Sequence, residues 1–333
     1  MKRAAVLGAG AWGTALAKVL SDKGERVTLY TRRPELRRQI AETRMNERYL
    51  PGVELGGDLT VTTDLGQALE EATLIVLAVP SHALRDVVGE AHRTWPRDVP
   101  IVSATKGIEN DSLMLMGEVV LDVAGAATGD RMTVLSGPSF AREVALGLPT
   151  AIVVAGTSGD VVRDVQQRFA SDRLRVYSSD DAVGVELGGA LKNVIAIAAG
   201  ACDGLGYGHN SRAALITRGL AEIVRLSVAK GGNALTLAGL AGLGDLVLTC
   251  TGELSRNRTV GFELGRGRTL EETLAKLGHV AEGVKTTKSA YDLGRKLNVD
   301  MPITTEVFRV LYEGKTPRQA VSDLMARTLR AEF

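Results

Sequence analysis

Short apolar runs and longer helical stretches alternate along the first half of the chain. The runs Ala4–Leu7, Val27–Tyr30, Leu74–Val79, Ile101–Ala104, Thr133–Leu135, Ala151–Val154 and Leu174–Tyr177 read as strands, with helices such as Thr14–Lys23 and Ser81–Ala91 between them. These runs are apolar without polar alternation, the mark of strands covered on both faces, which β–α–β crossovers produce. The character changes near Ser178-Ser179-Asp180, beyond which no run reads as a strand. Ala182 to Ala201 is apolar almost all round, as in a helix buried inside a bundle. Ser211 to Lys230 is predicted as the next helix, with Ser211 as N-cap and Gly231-Gly232 as its stop. Gly239 to Gly261 reads as a glycine-rich irregular segment, and further helices run to the C-terminus. Two domains are expected, residues 1–179 and residues 180–333. No internal repeat interrupts this plan.

Composition narrows the picture further. A chain of 333 residues, 45% hydrophobic and 24% charged, suits two ordinary cores. The net charge of +1 offers no footprint for nucleic acid or an anionic membrane, so attraction for an anion must come from a few placed cations. Cys202 and Cys250 show neither a CxxC nor a Cys/His spacing, so no metal and no disulfide framework are expected, only buried thiols. The apolar run after Met1-Lys2-Arg3 stops at Gly8, and no stretch of 18 or more apolar residues is read; no membrane span and a cytoplasmic location are expected. His82, His92, His209 and His279 form no metal or triad pattern and read as structural or surface residues, with an approach to a site left open for His209 in Gly206-Tyr207-Gly208-His209-Asn210.

Gly8-Ala9-Gly10-Ala11-Trp12-Gly13 matches G-x-G-x-x-G, directly after the first strand and opening a helix. In that context Gly8 makes the tight turn, Gly10 lets a pyrophosphate approach the backbone, and Gly13 lets helix and strand pack closely. Free N–H groups and the helix dipole then receive phosphate. The predicted fold class is therefore α/β: an N-terminal doubly wound Rossmann-type domain that binds a dinucleotide, then an all-helical domain for substrate and catalysis. The second strand ends Tyr30-Thr31-Arg32-Arg33, with no acid to hold a ribose 2′-hydroxyl. Two arginines stand where a 2′-phosphate would lie, which favours NADPH while leaving NADH possible. Pro80 and Lys106-Gly107 follow strands, on the edge where open α/β sheets bind ligands.

Lys192 is the sole cation of the long apolar helix. Either it is buried, where desolvation fits it to proton transfer, or it snorkels to water. Asp245, within Gly242-Leu243-Gly244-Asp245, is a candidate partner. Ser255-Arg256-Asn257 offers a planar fork and neutral donors suited to phosphate; equally, Ser255 is a helix N-cap in a polar loop. Ser136-Gly137-Pro138-Ser139-Phe140-Ala141 presents either ligand-facing N–H groups or a plain turn.

Together these segments, with Tyr49-Leu50-Pro51-Gly52, Ala104-Thr105-Lys106-Gly107, Leu191-Lys192-Asn193 and Val280-Ala281-Glu282-Gly283, resemble the bacterial NAD(P)-dependent glycerol-3-phosphate dehydrogenase family over essentially the whole chain. The resemblance implies reversible reduction of dihydroxyacetone phosphate to sn-glycerol 3-phosphate, with the product supplying phospholipid synthesis, and a homodimer. It implies cofactor contacts from Ala11, Trp12, Arg32, Arg33, Tyr49, Lys106, Ala141, Arg256, Val280 and Glu282. Substrate contacts are implied for Lys106, Gly137, Ser139, Lys192, Asp245, Ser255, Arg256 and Asn257, with Lys192 as acid/base and Lys106 and Asp245 assisting it. Ala11 departs from the serine frequent in the family, which removes a hydroxyl but not a backbone N–H. Rival readings are a related dehydrogenase acting on a hydroxy acid, and an NAD(P)H sensor without turnover.

Overall fold

The computed structural model describes residues 2–277, 281–329 and 331–332. It divides into two compact units, Met1–Glu109 with Met114–Glu186, and Asn110–Leu113 with Leu187–Phe333.

The strands of the first unit are β1 (Arg3–Leu7), β2 (Arg26–Tyr30), β3 (Met45–Asn46), β4 (Leu50–Glu54), β5 (Leu59–Thr62), β6 (Leu74–Leu77), β7 (Ile101–Ser103), β8 (Met132–Ser136), β9 (Thr150–Gly156) and β10 (Leu174–Ser179). Its helices are α1 (Ala11–Asp22), α2 (Pro34–Thr43), α3 (Leu65–Leu69), α4 (Ser81–Ala91), α5 (Met116–Ala124), α6 (Ala141–Ala145) and α7 (Gly159–Phe169). Eight strands form one sheet in the order β10-β9-β8-β7-β6-β1-β2-β5. Neighbours are parallel except β8 and β9, which pair antiparallel. The central strands are buried throughout, Ala4–Leu7 and Leu74–Leu77 at 0% exposure, as their unbroken apolar runs require. From β1 the chain moves outward to β2 and later returns to β6 on the other side of β1. This reversal leaves a crevice at the carboxyl ends of β1 and β6.

Two features escape the apolar-run reading. Leu59–Thr62 is a short edge strand, and Met45–Asn46 pairs with Leu50–Glu54 as a separate antiparallel hairpin. Pro51 and Gly52 break the apolar pattern of β4, so it reads as a turn in sequence. The division into compact units falls a few residues beyond the last strand. The strands do end at Ser179, but Glu186 still accepts a hydrogen bond from the Gly117 N–H at 2.7 Å and belongs to the first unit. The excursion Asn110–Leu113 carries no compositional signal.

The described residues of the second unit hold no strand. Its helices are α8 (Ala182–Gly204), α9 (His209–Ala229), α10 (Ala234–Leu237), α11 (Asp245–Thr251), α12 (Arg256–Gly265), α13 (Leu270–Leu277), α14 (Glu282–Lys296), α15 (Pro302–Tyr312) and α16 (Pro317–Met325). The segment Gly239 to Gly261, expected to be irregular, is mostly helical, with a π turn at Leu240–Gly244 running into α11. Tertiary packing of its glycines overrides their weak helix propensity. Helix α9 begins two residues before Ser211, with Gly208 at its N-cap. Ala182–Gly204 and Ala234–Thr251 both have the length and mean hydropathy of a membrane span, though neither is an unbroken apolar run; 78% of the first window is buried within the protein.

Glu222 on α9 holds the start of α15. Its fully paired carboxylate accepts the Ile303 N–H at 2.5 Å, the Thr304 N–H at 3.0 Å and the Thr304 hydroxyl at 2.9 Å. Burial nevertheless pushes this carboxyl from 4.5 up to about 7, outweighing those donors. The folded chain thus holds the proton more tightly than the unfolded chain. The group's contribution to stability is complete below its unfolded value and is lost as pH rises through the folded one. We expect about 3 kcal/mol of stability to disappear across that window. Urea midpoints of the native chain and Glu222→Gln between about pH 5 and about pH 8 check this; equal pH slopes would refute it.

Candidate active site

The first unit gathers its candidates at the carboxyl edge of the sheet. Gly8 lies at φ +121°, and a Cβ there would stand 2.5 Å from the Ala78 carbonyl oxygen. A Cβ on Gly13 would run into the Gly8 carbonyl, whereas one on Gly10 would meet nothing. Two of the glycines therefore close the turn, and the third leaves open space above the backbone. Helix α1 starts at Gly10 without a side-chain cap, so its first N–H groups remain available to an anion. Trp12 and Ala141 pack together on a small cluster of Ala15, Leu50, Val53 and Ala145. Tyr49 packs beside Trp12 against the main core, and the Arg48 guanidinium lies 5.5 Å from its ring centre. The indole Nε1 of Trp12 is buried with no hydrogen-bond partner.

Arg32 and Arg33 are both exposed just beyond β2, with Arg33 capping α2 and 3.9 Å from Glu35. Lys106 follows β7 after Thr105, whose hydroxyl donates to the Val79 carbonyl at 3.0 Å. Gly137 follows β8 at φ +137°, where a Cβ would lie 2.9 Å from the Ile152 Cα. The Ser139 hydroxyl donates back to the Gly137 carbonyl at 3.0 Å, so this segment is a built turn on the ligand edge.

In the second unit Lys192 is 8% exposed and its ammonium donates to Asp245, which is fully buried. The Thr249 hydroxyl donates to the Asp245 carbonyl at 2.6 Å and lies 3.4 Å from its carboxylate. The pair is set by backbone contact one turn earlier. Gly188 precedes Lys192 by one turn and Ala241 precedes Asp245 by one turn, and a Cβ on Gly188 would run into the Ala241 carbonyl. The other end of α8 meets α12 in the same way. Gly200 and Gly204 face Gly261 and Gly265, four positions with no space for a Cβ. Asp203 then bridges the two arginines Arg212 of α9 and Arg258 of α12, at 2.5 and 2.7 Å.

That crossing places the start of α12 against Lys192's neighbour. Ser255 caps α12, its hydroxyl accepting the Arg258 N–H at 3.2 Å. Arg256, at the first position of α12, is exposed and has no ion-pair partner among the described residues. Asn257 donates from Nδ2 to the Asn193 Oδ1 at 2.9 Å and accepts the Gly283 N–H on its own Oδ1 at 2.9 Å. A Cβ on Gly283 would lie 2.7 Å from that oxygen. Glu282 opens α14 beside this contact, and Val280 lies outside the described residues. Asn193, read in sequence only as part of Leu191-Lys192-Asn193, and Thr249, given no role there, both belong to this polar cluster. The buried thiols are raised to about 11 at Cys202 and about 12 at Cys250, chiefly by desolvation, and are inert. Among the described residues no cluster of His, Cys, Asp and Glu is arranged for a metal ion.

Family models described as NAD-dependent glycerol-3-phosphate dehydrogenase N-terminus and C-terminus match residues 3–161 and 181–322. The chain belongs to this family. It is 54% identical over 331 residues to glycerol-3-phosphate dehydrogenase [NAD(P)+] of Anaeromyxobacter sp. (strain K), covering 99% of this chain and 100% of that protein. It is 52% identical over 331 residues to the protein of that name from Geobacter sp. (strain M21), covering 99% of each. The crystal structure of glycerol-3-phosphate dehydrogenase from Coxiella burnetii, 43% identical, superposes with a TM-score of 0.93 over 98% of this chain and 99% of that one. Within this glycerol-3-phosphate dehydrogenase frame, the close α8 contact is open to a direct test. Gly188→Ala should cost about 1–3 kcal/mol by overpacking, read as a lower urea midpoint. An unchanged midpoint would show that the two backbones can separate freely.

Proposed function

We propose that this chain reduces dihydroxyacetone phosphate to sn-glycerol 3-phosphate reversibly, with NADPH favoured over NADH as hydride donor. The observation that carries the reading is the buried Lys192–Asp245 pair inside an otherwise apolar helix crossing. When bound, the nicotinamide supplies the hydride that reaches the C2 carbonyl. As that oxygen gains charge, the Lys192 ammonium stabilises and then protonates it. Asp245 orients the ammonium and offsets its charge, and Lys106 adds positive field for the same oxygen. Arg256 presents its fork to the phosphate, and Asn257 offers the N–H that Asn193 leaves unused, with Gly137, Ser139 and Ser255 completing the hold. Binding energy from the phosphate thereby positions the distant carbonyl.

The open space above Gly10 and the uncapped start of α1 fit a pyrophosphate. Gly8, Gly13, Ala11, Trp12, Tyr49, Ala141 and Glu282 shape the rest of the cofactor site, with Arg256 and Val280 as further contacts. Arg32 and Arg33 would take the 2′-phosphate. The same reading makes the protein a cytoplasmic homodimer without a membrane span, whose product supplies phospholipid synthesis.

The deciding assay follows NADPH and NADH absorbance with dihydroxyacetone phosphate, using dihydroxyacetone as control. Rapid oxidation that requires the phosphate is expected; no oxidation with either cofactor would discard the substrate. Lys192→Ala should lower kcat by about three orders of magnitude or more while NADPH still binds, and near-normal turnover would remove Lys192 from the chemistry. Replacing Arg32 and Arg33 by alanine should raise the KM for NADPH by about tenfold or more, with little change for NADH. Equal losses for both cofactors would remove the 2′-phosphate role.

A further inference from the structure

Hairpin β3–β4 carries a polar residue outside every role assigned above. Asn46 has 0% exposure, so it cannot touch a bound nucleotide. Its Nδ2 donates to the Ala9 carbonyl at 3.0 Å and to the Thr14 hydroxyl at 2.8 Å. Its Oδ1 accepts the Tyr49 N–H at 3.2 Å. A backbone carbonyl can only accept and a backbone N–H can only donate, so these partners fix which end of the amide points where. Both N–H groups are used. Ala9 lies within the glycine loop and Thr14 in the first turns of α1, 37 and 32 residues away in the chain. Tyr49 belongs to the hairpin that packs on Trp12.

We infer that Asn46 is a positioning residue for the dinucleotide loop, holding Gly8–Gly13 and Tyr49 in one arrangement before cofactor arrives. The inference rests on the cofactor reading of that loop. A buried carbonyl at Ala9 needs a donor, and the loop's own glycines have no side chain to give one. Asparagine supplies it from a separate element, and with the second N–H ties the same loop to α1. The loop then loses little freedom when it receives the pyrophosphate, and affinity gains by that saving. Alanine at this position leaves the Ala9 carbonyl without its donor, and the Tyr49 N–H keeps only the main-chain carbonyl of residue 46, at 3.3 Å. Aspartate keeps the shape but sets an acceptor against the Ala9 oxygen.

Titration calorimetry of NADPH into the native chain, Asn46→Ala and Asn46→Asp tests this, beside steady-state kinetics with dihydroxyacetone phosphate. Both variants should bind NADPH about tenfold or more weakly. Their kcat at saturating NADPH and their KM for the triose phosphate should stay within about twofold of native, a split that general destabilisation does not give. Thr14→Val, which removes a single contact, should weaken NADPH about threefold and covers the case in which the Asn46 variants do not fold. Native binding with an unchanged Kd in the folded variants, Thr14→Val included, overturns the role of Asn46 alone. Failure of the native chain to bind NADPH overturns the cofactor reading itself.

Discussion

The second unit depends on how closely backbones approach α8. At Gly188, and again at Gly200 and Gly204, this helix touches main-chain atoms of its neighbours with no side chain between them. Such contact fixes the separation and rotation of each crossing far more tightly than interdigitated side chains would. A long side chain can swing to absorb an error of an ångström, and a carbonyl oxygen cannot. Lys192 and Asn193 lie between these anchor points, so partners from α11 and α12 reach them in a set geometry.

The polar groups that this packing encloses are then satisfied pairwise. Lys192 meets Asp245, Asp203 divides its two oxygens between two arginines, and Asn257 spends its carbonyl on Gly283 and one N–H on Asn193. Removing one partner of a buried ion pair leaves an uncompensated charge, worth roughly 3–5 kcal/mol. Under the proposed function, a Lys192 ammonium so tightly held has little reorganisation left to do when charge develops on a substrate oxygen, which is the condition for electrostatic catalysis. The first unit reaches the same end by other means, with Asn46 joining hairpin, loop and helix.

Much of this was legible in the chain. The buried strands announce themselves because both faces must be apolar, and G-x-G-x-x-G is short enough to read as one local unit. Lys192 stands out as a single charge in an apolar run, and Asp245 between glycines is a readable candidate partner, which it is in the fold. Other features stayed hidden because their causes are distant. Whether a glycine is a turn or a helix contact depends on what lies opposite, so Gly239 to Gly261 read as loop although most of it is helix. Asn46 and Asn193 are ordinary polar residues until partners tens of residues away fill their hydrogen bonds, and Thr249 gains its place from Asp245 one turn earlier on the same helix. The edge strand β5 has too little apolar length to separate from a loop.

Helix α8 has one more consequence, which concerns the chain while it is being made. Its length and mean hydropathy of 1.5 are those of a membrane span, and 78% of that window is covered only by other parts of the fold. Until the later helices follow, α9 at Gly219 and then α11 and α12, that apolar surface is uncovered. A lysine near the centre of a spanning helix costs about 2.5–3.5 kcal/mol on insertion. The lysine that the finished helix pairs with Asp245 also biases the nascent helix against the bilayer, and toward waiting for its partners.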